Sequence, residues 1–469
     1  MGKIGSDNVE VKVFSKEAMF RDVKTHLNDL GISIPKFSTE DQRVAFFGNL
    51  ISSFECELLN RISLIVGQAK YYLFEKEYTE HAWKELYAMH YSNTSYALSN
   101  KVMRVHFWNS EFVEDSDKDD YLKNGYLGYI TLRPVPDFNL MLSYVVPNWK
   151  VLSLRNHNAW IMTYERNVHI FGYSICISTI PFYCQDTVYI RCAHADMLMF
   201  STFLHHSYNF PRLSITDMVE SNRYYPIPNG GLEYDEILDI FYRNKIPVSY
   251  YYCEEGKDEE YRAVLDAHIE SKLPVIIYKD NHVVLVIGHT GEKEKRYIIY
   301  DDSGYYLSKT IESINFVGVV SFDQLFYRGE SNCIYMVAAT YQRMYLNPQE
   351  YFMMLDEYLS FADCDEDEDF PQQHYQLRSL FVDNTCLKHF LKTKCIEQDD
   401  SKIVDRLTAF LETDQPHYLW YSEYCTATGR LVYLADPTFP VNTRQIIFPY
   451  GIFICDPNGD GVSLLTKVN

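Results

Sequence analysis

At 469 residues, 47% of them apolar and 16% aromatic, the chain has material for two or three buried cores and is not a disordered polymer. Its 43 basic and 64 acidic residues leave a formal charge of −21, which excludes a general phosphate-binding surface, so nucleic acid is not an expected partner. The cysteines, eleven in number and without a CxxC pair, read as free thiols of a reducing compartment, and no apolar run reaches membrane-spanning length.

The N-terminus lacks a basic-then-apolar signal region, so a cytoplasmic protein without membrane attachment is the expectation. Met1-Gly2 followed by Ser6 does fit the minimal myristoylation pattern. From 15 to 91 the texture reads as helical. Phe46, Phe47, Leu50, Ile51, Phe54, Leu58, Leu59 and Ile62 recur at three- and four-residue intervals, after a capping box of Thr39 and Gln42 with Ser38 as the alternative cap. Residues 1–118 are therefore expected to form a helical scaffold or partner-binding region, closed by the acidic run 114–120 as a solvated loop.

Beyond that loop the pattern turns strand-like at 126–134, 160–164, 169–174 and 174–180. Helices are predicted at 192–205, 234–242 and 259–271, then strands at 274–278, 282–288 and 297–300. Blocks of one type followed by blocks of the other indicate α+β rather than regular βαβ alternation. The acidic run 363–369 opens the last region, 341–469, a small α/β domain with strands at 377–382, 418–424, 431–434 and 452–455. There, Tyr418, Trp420, Leu434, Asp436 and Thr438 can be read as an accessory groove or as core aromatics and an Asp-Pro turn.

The segment that carries chemistry is Pro181-Phe-Tyr-Cys-Gln185-Asp-Thr-Val-Tyr-Ile-Arg-Cys192-Ala-His-Ala-Asp-Met. Ala193, Met197, Phe200 and Leu204 mark one face of a helix with Cys192 at its start, where unpaired amides suit a thiolate nucleophile. Gln185 lies close enough upstream to offer an amide to an oxyanion beside the Cys192 N–H. His282 opens an apolar strand after a short turn, and the next strand ends in Asp301-Asp302-Ser303-Gly304, where a carboxylate can orient the imidazole. Adjacent strand residues point to opposite faces, so only one of Asp301 and Asp302 can do so; its place at the strand end favours Asp301, and Asp302 remains the alternative.

The order Gln, Cys helix, His strand, Asp strand resembles the papain-like cysteine peptidases, nearest the bacterial branch that includes the leader-cleaving peptidase domains of bacteriocin exporters. The Leu132-Arg133-Pro134, Ile180-Pro181-Phe182 and Gln185-Asp186 elements resemble uncharacterised bacterial relatives of that branch. The resemblance covers roughly residues 120–310. It implies a papain-like core over 119–340, a Cys-bearing helix packed on an antiparallel sheet that bears His and Asp. It also implies a catalytic set of Cys192, His282, Asp301 and Gln185, with no cofactor and no metal. Ala193 departs from the glycine that many relatives carry after the nucleophile.

The implied activity is hydrolysis of a peptide or isopeptide bond in a peptide or protein substrate, through a Cys192 thioester. Acyl transfer or glutamine deamidation of transglutaminase type uses the same groups. A non-catalytic papain-like binding module, with protein partners on its flanks, is the third reading. Competing ligands are weaker on spacing: His289 lies an odd number of residues from His282, His194 faces another side of its helix, and Cys184, Cys192, His194 and His205 have no recurrent zinc spacing.

Overall fold

The computed structural model describes residues 68–93, 98–110, 124–134, 140–147, 158–170, 172–186, 190–220, 231–291, 295–311, 316–326, 333–362, 375–396, 401–412, 414–425, 430–438 and 452–454, with short pieces within 3–26 and 464–468. The chain is mixed α and β with antiparallel sheets, and it divides into two compact units. One holds residues 1–246, 276–332 and 467–469; the other holds 247–275 and 333–466.

In the first unit a strand stands over 71–78, where helix is predicted. β1 (Tyr71–Tyr78), β2 (Val102–Trp108), β3 (Tyr126–Leu132) and β4 (Leu140–Val145) pair in succession, all antiparallel. β4 then pairs with β7 (Tyr173–Phe182), which forms a hairpin with β6 (Tyr164–Ile170). The helical expectation is corrected over Tyr71–Tyr78, while the described residues 18–19, 21–22 and 25–26 are helical. Tyr71-Tyr-Leu-Phe-Glu-Lys-Glu-Tyr has the aromatic content of a strand, and among the described residues 68–93 the α-helix is α1 (His81–Met89). The break expected at 118 falls within this sheet, because β2 pairs with β3 across it. The periodic run 46–62, its caps and both acidic runs lie outside the described residues.

The second sheet of this unit carries the candidate site. β8 (Val275–Lys279) and β9 (His282–Thr290) are joined by Asp280 and Asn281, with φ of 52° and 58°. Two consecutive left-handed residues make the tight turn that suits the twist of paired strands, and Asp and Asn tolerate that region best after glycine. β9 pairs on with β10 (Arg296–Tyr300), and β10 with β11 (Val317–Ser321). A short strand, β5 (Ala159–Ile161), joins β9 at its far end, where a bulge falls between Val286 and Gly288. α2 (Cys192–Tyr208) packs on β9. Every residue of α2 from Ala193 to Leu204 is buried, so it is a core helix rather than the one-faced helix its apolar spacing suggested.

The second unit pairs Val248–Tyr252 with Ile334–Ala339 and builds a separate four-stranded antiparallel sheet. Strand alternation decides what each face of that sheet meets. Leu380, Val382, Leu419, Tyr421, Val432 and Leu434 join Leu387, Leu391, Leu407 and Phe410 of the helices Asn384–Ile396 and Ser401–Glu412 in one apolar core. On the opposite face Trp420 stacks on Tyr351 at 4.4 Å, and the Tyr351 hydroxyl donates to the Ser422 hydroxyl at 2.6 Å. Trp420 is thus a core residue, and Asp436 accepts from the Thr438 N–H and hydroxyl in a local turn. No helix of the described residues is long and apolar enough to cross a membrane.

Gly288 is the point at which β5 can approach the bulge: a Cβ there would lie 2.2 Å from the Trp160 carbonyl oxygen. Backbone cannot yield as a side-chain tip can, so Gly288→Ala is expected to destabilise the chain by about 1–3 kcal/mol. Thermal unfolding of the variant beside the parent measures it.

Candidate active site

Cys192, His282 and Asp301 each stand at the end of an element. Cys192 is the first residue of α2 and is half-buried. The helix start is fixed by a neighbour: the Arg191 N–H donates to Nδ1 of His194 at 3.3 Å. Burial first, and Arg191 after it, push the His194 imidazole down to about 4, so at neutral pH it is uncharged and its Nδ1 can accept.

His282 leads β9 straight out of the tight turn, with its side chain 11% exposed. β9 and β10 run antiparallel with Leu285 opposite Tyr300, so the residues after β10 return beside the start of β9. There the Oδ1 of Asp301 lies 3.1 Å from Nε2 of His282. Asp301 is wholly buried, and its carboxylate also accepts from the Ser303 hydroxyl at 3.2 Å and from the Leu307 N–H at 2.9 Å. Leu307 lies in the first turn of α3 (Tyr305–Ile311), where helix amides lack partners of their own.

Burial alone would lower the His282 imidazole. The hydrogen bond that the ring donates to Asp301 and the neighbouring Cys192 outweigh it and hold the ring well above its ordinary 6.5. Burial likewise acts to raise Asp301, but bonding to His282, the Leu307 N–H and Ser303 brings it below its ordinary value. Both shifts favour an imidazolium–carboxylate pair. With Nε2 on Asp301, Nδ1 is the nitrogen left for Cys192.

The two adjacent aspartates part company as strand alternation requires. Asp302, also wholly buried, accepts the backbone N–H of Gln185 at 3.0 Å. Gln185, Cys192 and His282 line one cleft of about 490 Å³, together with Arg191, Glu233, Tyr278, Asn281, Ser303 and Tyr305. Tyr305, half-exposed, meets the His282 ring edge-on at 5.5 Å between centroids.

The competing groups are engaged elsewhere. The bulge between Val286 and Gly288 breaks the alternation on which the spacing argument against His289 relied, but His289 stacks on Trp160 at 5.7 Å and bonds the Thr290 carbonyl. His205 bonds the Phe210 carbonyl, and Cys184 meets the Tyr300 hydroxyl at 3.5 Å. Among the described residues, the donor atoms close enough together to ligate a cation are those of His282, Asp301 and Asp302, within 4.8 Å. Those groups already bond to one another and to Gln185.

One residue escaped the sequence reading. Asp196 stands four places after Cys192, so it lies on the same helix face, and that spacing was the available signal. It is wholly buried, and neither carboxylate oxygen has a hydrogen-bond partner. Burial, then Asp302 and Cys192, push this carboxyl well above its ordinary 3.8.

No protein-family model matches the chain, and no curated protein matches its sequence. Among solved structures it is similar to the crystal structure of UfSP from C. elegans, at 14% identity and a TM-score of 0.25, over 34% of this chain and 32% of that one. The likeness thus spans about a third of either chain, and at that level it bears on neither fold nor function.

The Asp196 carboxyl keeps its proton in the fold at pH values where the unfolded chain has released it. The stability penalty is therefore absent below 3.8 and grows as pH rises toward the elevated folded value. Asp196→Asn carries no such proton. Its stability relative to the parent should climb as pH rises above 4, by at most about 1.4 kcal/mol per pH unit, and its melting temperature should rise with it. Parallel melting curves at several pH values test this, and a gap independent of pH would contradict it.

Proposed function

We propose that the chain is a cysteine hydrolase of papain-like type, active in the cytoplasm on a peptide or isopeptide bond. The observation that carries the reading is the His282–Asp301 bond of 3.1 Å, with Cys192 at the same ring and Gln185 on the same cleft. In this reading His282 takes the Cys192 thiol proton at Nδ1, and the sulfur adds to the scissile carbonyl carbon. The oxyanion meets the Cys192 backbone N–H and the Gln185 side-chain amide. The tetrahedral adduct then collapses as His282 returns the proton to the leaving amine, leaving a thioester. Water, deprotonated by the same imidazole, attacks the thioester and frees the acid and the thiol. Asp301 holds the ring in place and favours the imidazolium through both half-reactions.

Selective alkylation tests the assignment without knowledge of the substrate. Cys176, Cys333 and Cys386 are exposed, whereas Cys192 is half-buried, so accessibility alone would label the other three first. Moreover, a hydrogen bond to Glu165 raises the Cys176 thiol, and burial followed by Asp383 raises that of Cys386. Iodoacetamide at neutral pH and low excess should modify Cys192 before any of them, and His282→Ala should abolish the preference. Labelling in order of exposure would count against the hydrolase.

A further inference from the structure

Gln185 belongs to an arm, residues 183–186, that is neither strand nor helix; the Cys184 N–H still reaches the Leu140 carbonyl at 3.1 Å, but the carbonyls of Cys184 and Gln185 turn away from the sheet. A wholly buried arginine satisfies those two carbonyls. Arg133 follows directly on β3, in the Leu132-Arg133-Pro134 element that the catalytic reading leaves unused. One of its guanidinium nitrogens donates to the Cys184 carbonyl at 3.2 Å and to the Gln185 carbonyl at 2.8 Å. Its other terminal nitrogen lies 3.9 Å from the Asp186 carboxylate, and neither side chain has any exposure.

Asp186 carries the brace onward. Its carboxylate accepts from the Ile190 N–H at 2.6 Å and from the Tyr91 hydroxyl at 3.1 Å, while its own N–H bonds the Ile190 carbonyl. Residues 186 and 190 are thereby clipped together two residues before Cys192. From the opposite side, Asp302 takes the Gln185 N–H and the Tyr300 hydroxyl donates to the Tyr183 carbonyl. The Gln185 backbone is thus held at its N–H by a buried carboxyl group and at its carbonyl by a buried guanidinium. A dry ion pair has a large desolvation cost, and apolar residues of similar volume would often fill the space at least as well. Spending one on the backbone of a single glutamine is understandable if the position of that glutamine matters.

We infer that Arg133, with Asp186 as its counter-ion, is the positioning residue of the oxyanion arm: it fixes the Gln185 backbone so that the side-chain amide meets the oxyanion formed at Cys192. The inference rests on the hydrolase reading and extends it to a residue that touches neither substrate nor nucleophile. Donors of this kind act only at the geometry of the charge they stabilise, so an error of about 1 Å can lower the rate by about 10²-fold.

Two reactions of Cys192 separate this role from a general one. Acylation by p-nitrophenyl acetate passes through an oxyanion; alkylation by iodoacetamide is a displacement at carbon and forms none. With the full-length chain, Arg133→Met should slow acylation about 10- to 100-fold while alkylation stays within about twofold. Arg133→Lys, which keeps the charge and a donor, should fall between and serves as the variant if Arg133→Met does not fold. In a Gln185→Ala background, either Arg133 substitution should have no further effect, because Arg133 acts through Gln185. Acylation at the parental rate in Arg133→Met, effects that multiply with Gln185→Ala, or equal loss of acylation and alkylation would each overturn the role alone. A parent chain that is alkylated at Cys192 but never acylated would overturn the hydrolase reading and this role with it.

Discussion

The bond between His282 and Asp301 is the constraint around which the first unit is arranged. A carboxylate with no exposure is tolerable only when it is fully bonded, and Asp301 has His282, Ser303 and the first turn of a helix to bond it. Those contacts fix the carboxylate, and the carboxylate in turn fixes the imidazole. The left-handed turn at Asp280 and Asn281 brings His282 to the strand end, and the register of β9 against β10 returns Asp301 beside it. A buried helix laid across β9 then brings Cys192 to the same ring.

The doubled carboxylate resolves into two duties separated by strand alternation. Asp301 faces the histidine, and Asp302 faces the backbone of Gln185. With Asp196 beside them, three wholly buried carboxyl groups surround one imidazole. Three negative charges there would repel far more strongly than in water, and Asp196, the one without a hydrogen-bond partner, is the group that stays protonated. Burying a carboxyl group that must keep its proton costs stability at neutral pH, and Asp196 carries that cost.

Much of this was legible in the residues, for identifiable reasons. Helix and strand starts at Cys192 and His282 are visible because each opens an apolar run behind a turn or loop, and local signals suffice for such boundaries. What local signals missed was settled by partners distant in sequence. Tyr71–Tyr78 contains Glu75, Lys76 and Glu77, which suit a helix as well as a strand edge, and pairing with Val102–Trp108 decides the matter. The bulge at Gly288 exists because β5 approaches there, and nothing near His289 announces it. Asp196 was legible as a helix-face neighbour of Cys192, but its complete burial follows from packing. Arg133 stood in view within a short motif, yet only the folded chain brings it to carbonyls about fifty residues away.

Capture of the covalent intermediate decides whether Cys192 is the nucleophile. The intact chain would be mixed with an activated acyl donor, quenched in acid within the first turnover and mapped by mass spectrometry. The account predicts an acid-stable, hydroxylamine-labile acyl group on Cys192, absent from Cys192→Ala and strongly reduced in His282→Ala. An acyl group carried by another residue, or one that forms on Cys192 as fast without His282 as with it, would contradict the account.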